Sequence, residues 1–348
     1  MDEVLSKRIE VLRFSLIVGI VFIHMYTNDI HFSGTVQDHN LFAMFVEYVS
    51  NILARVSVPL FFAMSGYLFF LSFDGSFANY KKKMHSRFHT LLIPFLFWNA
   101  IVFLFFAIAQ NLPQTAHYFN GERPLVLSYG FLDQLALFFG LGKFEYPVAY
   151  QFWFIRDLII LVIISPLLYI LLRKIPWFVL GSLFLAWVFL PPHPDLTSYF
   201  YFTLGAYLGI RHITFQKTVT YAPFVIGIYV VLSFVSLFSE ERYIDNVVIL
   251  WGTFAAFCLS YYIVQNEKIS QKLIQLAKYS FFVFAVHEPL LSIVRKISFK
   301  VVSPQSDWSV LGLYFFAPIV TIVSAIVLYE ILARLAPGIL KIATGNRI

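Results

Sequence analysis

Three ionisable residues stand in the first apolar stretch of the chain: Glu10, Arg13 and His24. At 100° per residue, the spacing from Arg13 to His24 leaves them about 20° apart around a helix axis. The same steps separate them by about 16 Å along it. One polar stripe would therefore run from one membrane boundary towards the other. A neutral imidazole accepts a proton near neutral pH, so His24 can deprotonate a hydroxyl as that oxygen attacks a thioester carbonyl. It can also carry an acyl group covalently. Arg13 cannot be a base, but it can hold a phosphate or stabilise a developing oxyanion. The same residues have a plainer use: Arg13 snorkelling to the interface, Glu10 pairing with it one turn away, and His24 lying at the interface beside Tyr26.

Further polar residues sit among apolar flanks. Tyr80-Lys81-Lys82-Lys83-Met84-His85-Ser86-Arg87 is either a stop-transfer cluster or a clamp for the phosphates of coenzyme A. Arg87, with its planar fork, is the best phosphate ligand of the four cations Lys81, Lys82, Lys83 and Arg87. Arg156 and Asp157 can line a polar cavity or neutralise one another. His287 and Glu288 can do chemistry, or the histidine can be a satisfied interior residue. Arg55 is a weaker candidate. Ser65-Gly66 fits a small-residue helix contact better than a nucleophile, because no base stands at a suitable spacing.

The elements that must position these groups follow from composition. Of 348 residues, 59% are hydrophobic, 13% are charged and 41 are phenylalanine. A soluble chain is about a quarter charged, so a water-soluble enzyme is excluded and an all-α polytopic membrane protein is expected. Spans of roughly 17–25 apolar residues give about ten candidates: 11–27, 45–72, 88–110, 152–172, 177–190, 198–210, 222–238, 246–264, 279–295 and 309–333. The stretch after Lys7 and Arg8 has no small-residue cleavage site and is expected to be the first span, not a signal peptide. Pro191-Pro192-His193-Pro194 breaks the fifth from the sixth.

With both termini in the cytoplasm, most of the 25 basic residues fall inside. They include Lys7, Arg8, Arg13, Lys81 to Lys83, Arg87, Arg173, Lys174, Lys217, Lys268 and Lys272. Acids such as Asp29, Asp38, Glu47, Glu122, Glu240, Glu241 and Asp245 fall outside. This is the positive-inside pattern, and it accounts for the net charge of +6 without a nucleic-acid partner. Arg295, Lys296 and Lys300 break it, since they are expected in an outer loop. The long external segment 111–150 contains an apolar stretch, Phe131 to Leu141, suited to an interfacial or re-entrant helix. One cysteine, Cys258, permits no intramolecular disulfide and no metal site built on paired thiols. No metal site is expected. The chain reads as one membrane domain over 1–348, without a fused soluble domain.

Arg8-Ile9-Glu10-Val11-Leu12-Arg13 followed by His24 resembles the opening motif of the membrane acyltransferase 3 family, which O-acylates surface polysaccharides, O-antigens and related glycans. The resemblance continues through Val58-Pro59-Leu60-Phe61-Phe62 with Ser65-Gly66-Tyr67, the basic segment, and Leu92-Ile93-Pro94-Phe95. It resumes at Trp153-Phe154-Ile155-Arg156-Asp157 and at Tyr279-Ser280-Phe281 with His287-Glu288-Pro289. It implies a ten-helix protein of the bacterial cytoplasmic membrane. Acetyl-CoA would be a co-substrate from the cytoplasm, with no bound cofactor, and a glycan or lipid-linked glycan would be the acceptor. His24 would be the catalytic histidine, Arg13 its partner, and the basic segment a donor site. Two departures stand out: Glu10 where the family often has Asp, and lysines plus Arg87 in place of an Arg-rich motif.

An integral-membrane O-acetyltransferase is thus the leading expectation, by direct transfer with His24 as base, ahead of a histidine-borne acetyl. A glycan transporter or flippase would use buried charges such as Arg156 and Asp157 equally well, but the chain shows no inverted repeat. A catalytically silent assembly subunit would tolerate His24→Ala.

Overall fold

The computed structural model describes residues 3–27, 30–116, 125–191, 193–213 and 219–347. All regular structure among them is helical. In lipid every backbone donor must find its acceptor within the segment, and a helix achieves this. The order is α1 (Glu3–Met25), α2 (Leu41–Glu47), a π-helical turn (Tyr48–Leu53), a 3-10 turn (Ala54–Val56), α3 (Ser57–Leu71), α4 (Phe77–Arg87), α5 (Ile93–Ala109), α6 (Phe131–Phe139), α7 (Trp153–Ile163) and α8 (Ser165–Lys174). Then come α9 (Pro176–Phe189), α10 (Pro194–Ile210), α11 (Ala222–Leu237), α12 (Arg242–Gln265), α13 (Glu267–Ala277), α14 (Ser280–Val302), α15 (Asp307–Leu335) and α16 (Pro337–Thr344).

Each of the ten apolar windows falls on helix. Four runs are long and apolar enough to cross a membrane: Leu41–Leu71, Phe77–Ala109, Arg242–Gln265 and Asp307–Leu335. The number is six if the bent pairs α7–α8 and α13–α14 each count as one span. The remaining windows fall short for visible reasons. α9 has 14 residues, α11 16 and α10 17, against about 20 for a bilayer core. α1 has 23 residues, but Glu3, Lys7, Arg8, Glu10 and Arg13 crowd its first half. Large apolar side chains stay exposed along α5 (Leu104, Phe105, Ile108) and α11 (Phe224, Val231, Phe234), as lipid-facing surfaces require.

Two expectations need correction. The window 152–172 is not one continuous helix: it breaks between α7 and α8, where Pro166 has no N–H to carry the helical ladder through the join. Arg295, Lys296 and Lys300 are not in an outer loop, since α14 runs unbroken to Val302. The apolar stretch at 131–141 does form a helix, α6, stopped by Gly140 in the left-handed region (φ 65°). Asp29, Glu122 and Lys217 lie outside the described residues.

The chain divides into two compact units. The first comprises Met1–Gly75 and Leu167–Ile331, the second Ser76–Pro166 and Leu332–Ile348. In the first, α1 packs against α3, α12, α13 and α14, with Ile9, Leu12 and Leu16 against Leu60 and Met64. α3 and α10 lie backbone to backbone. A Cβ on Gly66 would overlap the Phe202 carbonyl oxygen, and one on Gly205 would overlap that of Ala63. Gly66 is therefore a helix contact, as its sequence setting suggests. In the second unit, buried Asn99 donates to Phe95 O (2.8 Å) and accepts from Ala149 N (3.1 Å). Trp98 Nε1 donates to Ala343 O of α16 (2.9 Å).

Candidate active site

The last turn of α1 is fixed from two sides. Ser50 Oγ, in the π-helical turn, donates to Phe22 O (2.8 Å) and shares a 2.7 Å hydrogen bond with Tyr314 OH of α15. The Tyr314 ring lies 5.5 Å from that of Phe22. His24 is carried on this turn, and α14 brings His287 to it: the imidazole centroids are 5.1 Å apart and tilted by 45°. His287 is fully buried. Its Nδ1 lies 2.6 Å from Phe284 O. A carbonyl oxygen can only accept, so Nδ1 carries the proton and the neutral ring keeps its lone pair on Nε2. Nε2 has no hydrogen-bond partner among the described residues.

The third member of the cluster is Arg295. It is 9% exposed, and its Nη1 donates to His24 O (3.3 Å). A guanidinium at the C-terminal end of α1 satisfies a carbonyl there and opposes the negative end of the helix dipole. It also brings a positive charge to the turn that bears a candidate base. Sequence reasoning did not select Arg295. The available signal was its place in the charge pattern, as a cation on the side where cations are scarce.

Arg13 is exposed and Glu10 half-buried. They form no ion pair with one another; Lys7 pairs with Glu3 instead (2.8 Å). The buried cation of this half of α1 is Arg8, also missed from sequence. Its Nε donates to Ser260 Oγ (3.1 Å), its Nη2 to Phe257 O (2.7 Å), and its guanidinium lies 4.1 Å from the Phe257 ring centroid. Arg8 ties α1 to α12. Glu288, half-buried, accepts from Ser292 Oγ (3.1 Å).

The remaining candidates belong to the second unit. Lys81 and Lys82 are exposed on α4, while Lys83 and Arg87, one turn apart, are half-buried on a shared face. Arg156 and Asp157 form a buried pair, with Nε 2.9 Å and Nη2 2.8 Å from Asp157 Oδ1. Arg156 Nη1 also donates to Gly140 O and Glu145 O, both at 2.8 Å. The two side chains neutralise one another and pin the segment after α6.

The family model for an acyltransferase domain matches residues 6–330. The chain belongs to this acyltransferase family. The match includes His24, His287 and Arg295 with every other candidate above, and leaves α16 outside. The acyltransferase chain is also 27% identical to the succinoglycan biosynthesis protein ExoH of Rhizobium meliloti (strain 1021), over 362 residues that cover all of this chain and 94% of that protein. No solved structure matches it.

Proposed function

We propose that this acyltransferase is an integral-membrane O-acetyltransferase of the bacterial cytoplasmic membrane. It would cross the bilayer about ten times with both termini in the cytoplasm, counting the short and bent helices as spans. It would move an acetyl group from cytoplasmic acetyl-CoA to a hydroxyl of a cell-envelope polysaccharide or lipid-linked glycan. The observation that carries this is the histidine pair of α1 and α14 with Arg295 at its edge, in a chain of acyltransferase family. A glycan acceptor is supported by the relative named for succinoglycan biosynthesis.

In this mechanism His24 removes the proton of the acceptor hydroxyl as its oxygen bonds to the thioester carbonyl carbon. Charge develops on the former carbonyl oxygen, and the Arg295 guanidinium stabilises it. The carbon–sulfur bond then breaks, and the proton held by His24 passes to the departing thiolate, leaving an acetyl ester and free CoA. His287 positions the hydroxyl, with Nε2 as a fixed acceptor because Nδ1 is committed to Phe284 O. The cations Lys81, Lys82, Lys83 and Arg87 of α4 hold the phosphates of the donor.

Mass spectrometry of envelope glycans from cells expressing the wild type or His24→Ala tests this. A base-labile acetyl group should appear with the wild type and vanish with an equally abundant, membrane-inserted variant. Acetylation untouched by His24→Ala would rule out His24 as the base, and none with either chain would favour transport.

A further inference from the structure

Beyond the C-terminal end of α1 the first unit has a half-open pocket of about 580 Å³, within the roughly 300–1,000 Å³ usual for small-ligand sites. Tyr26, two residues after His24, lines it. Glu47, Asn51 and Arg55 line it too. They recur every fourth residue, so they form one polar stripe along α2 and the turns that follow. The stripe adjoins the candidate active site through Ser50, the neighbour of Asn51, whose hydroxyl is bonded to Phe22 O on the turn carrying His24. Glu240, just before α12, and Asp245, in its first turn, line the pocket as well.

These groups are held in place. Asn51 Nδ2 donates to Glu47 Oε2 (2.9 Å), and Ser236 Oγ donates to Asp245 Oδ1 (2.5 Å). The segment 30–39 lines one wall of the pocket and is strapped to α15. The Asp307 carboxylate accepts from Ser33 N (2.8 Å), Ser33 Oγ (2.6 Å) and Asn40 Nδ2 (2.9 Å). A site whose walls are already fixed spends little binding energy on ordering them.

The lining chemistry selects a ligand class. Three carboxylates, one guanidinium, the amides of Gln37 and Asn51, the imidazoles of His31 and His39 and aromatic rings offer many partners for sugar hydroxyls and flat faces for C–H surfaces. The excess of carboxylates repels polyanions, which disfavours both CoA and an acidic glycan. We infer that this cavity is the acceptor site and takes an uncharged, hydroxyl-rich sugar segment, with the donor excluded. The inference rests on the proposed transfer to a glycan hydroxyl and names the substrate class of that reaction.

The test uses purified full-length protein in lipid nanodiscs, with tryptophan fluorescence titrated by cellotetraose and galactotetraose as neutral probes and by tetragalacturonate as an acidic one. The wild type should bind at least one neutral probe. Glu47→Gln and Asp245→Asn, which preserve shape, should each weaken that binding about tenfold or more, the scale of a lost charged hydrogen bond. Tetragalacturonate should bind more weakly than the neutral probes. Binding of neither neutral probe to the wild type, equal binding by the isosteric variants, or a preference for the acidic probe overturns the assignment. Titration with acetyl-CoA provides a further check: loss of its binding in Glu47→Gln would make the cavity the donor site and also overturn it. Neutral-sugar binding lost in the variants, in a protein that transfers no acetyl group to any glycan, would leave the sugar site standing and remove the proposed reaction.

Discussion

The imidazoles of His24 and His287 meet at 5.1 Å although they come from opposite ends of the chain. The Nδ1–H of His287 donates to Phe284 O, which fixes that ring's tautomer and leaves its Nε2 as an acceptor. A fixed acceptor beside a second imidazole suits a division of work in which one ring orients the hydroxyl and the other removes its proton.

That division has a measurable consequence. His287→Ala should lower kcat by about 10²-fold, at the low end of general acid–base effects, with KM for acetyl-CoA little changed. His287→Gln keeps an acceptor oxygen near the Nε2 position without its basicity and should recover part of the loss. Thiol-reagent detection of released CoA measures both. Equal inactivity of the two variants would show that His287 is itself the base.

Arg295 is expected to matter through charge and direction together. Arg295→Ala leaves His24 O without this donor and removes the cation from the site, so kcat should fall by about 10²-fold, as for loss of one oxyanion donor. Arg295→Lys should be intermediate, because it retains the charge without the fork. The comparison is made per folded molecule after size-exclusion chromatography. A wild-type kcat in Arg295→Ala would leave the residue a helix clamp only.

Much of the architecture was legible because hydropathy is a local property: all ten apolar windows coincide with helix. His24 and His287 were each visible as ionisable groups in apolar surroundings. Their meeting was not, because periodicity orders the faces of one helix and says nothing about which distant helix will cover them. Arg295 was misplaced for a related reason. Ending the ninth span at the first cations assumes lipid on all sides, whereas α14 turns Arg295 towards α1 and buries it. The Arg156–Asp157 pair was visible as a buried charge, but its fastening to Gly140 O and Glu145 O depends on the turn after α6.

That fastening makes Asp157 a stability residue. Asp157→Asn removes the negative partner of a buried guanidinium, which costs about 3–5 kcal/mol where a buried pair is broken. The expected signs are a lower Tm and faster proteolysis between Gly140 and Glu145 in purified protein. Arg156→Met combined with Asp157→Leu leaves no unpaired charge and should be less harmful than Asp157→Asn alone. If Asp157→Asn instead kept its Tm and lost only activity, the pair would belong to the chemistry.

The cations of α4 divide by exposure, and this separates a donor site from a topology signal. Arg87 is half-buried and forked, so a phosphate bonded to it would be partly shielded from solvent. Arg87→Gln should raise KM for acetyl-CoA about tenfold, the scale of a lost charged hydrogen bond, with kcat retained. Lys81 and Lys82 are exposed, and salt screens such charges. Lys81→Gln and Lys82→Gln should therefore change KM by less than about threefold, an effect of under 1 kcal/mol. Initial rates across acetyl-CoA concentrations, at low and at physiological salt, resolve the two groups. If KM is unmoved in Arg87→Gln at both salts, α4 serves orientation in the membrane and the donor phosphates are held elsewhere.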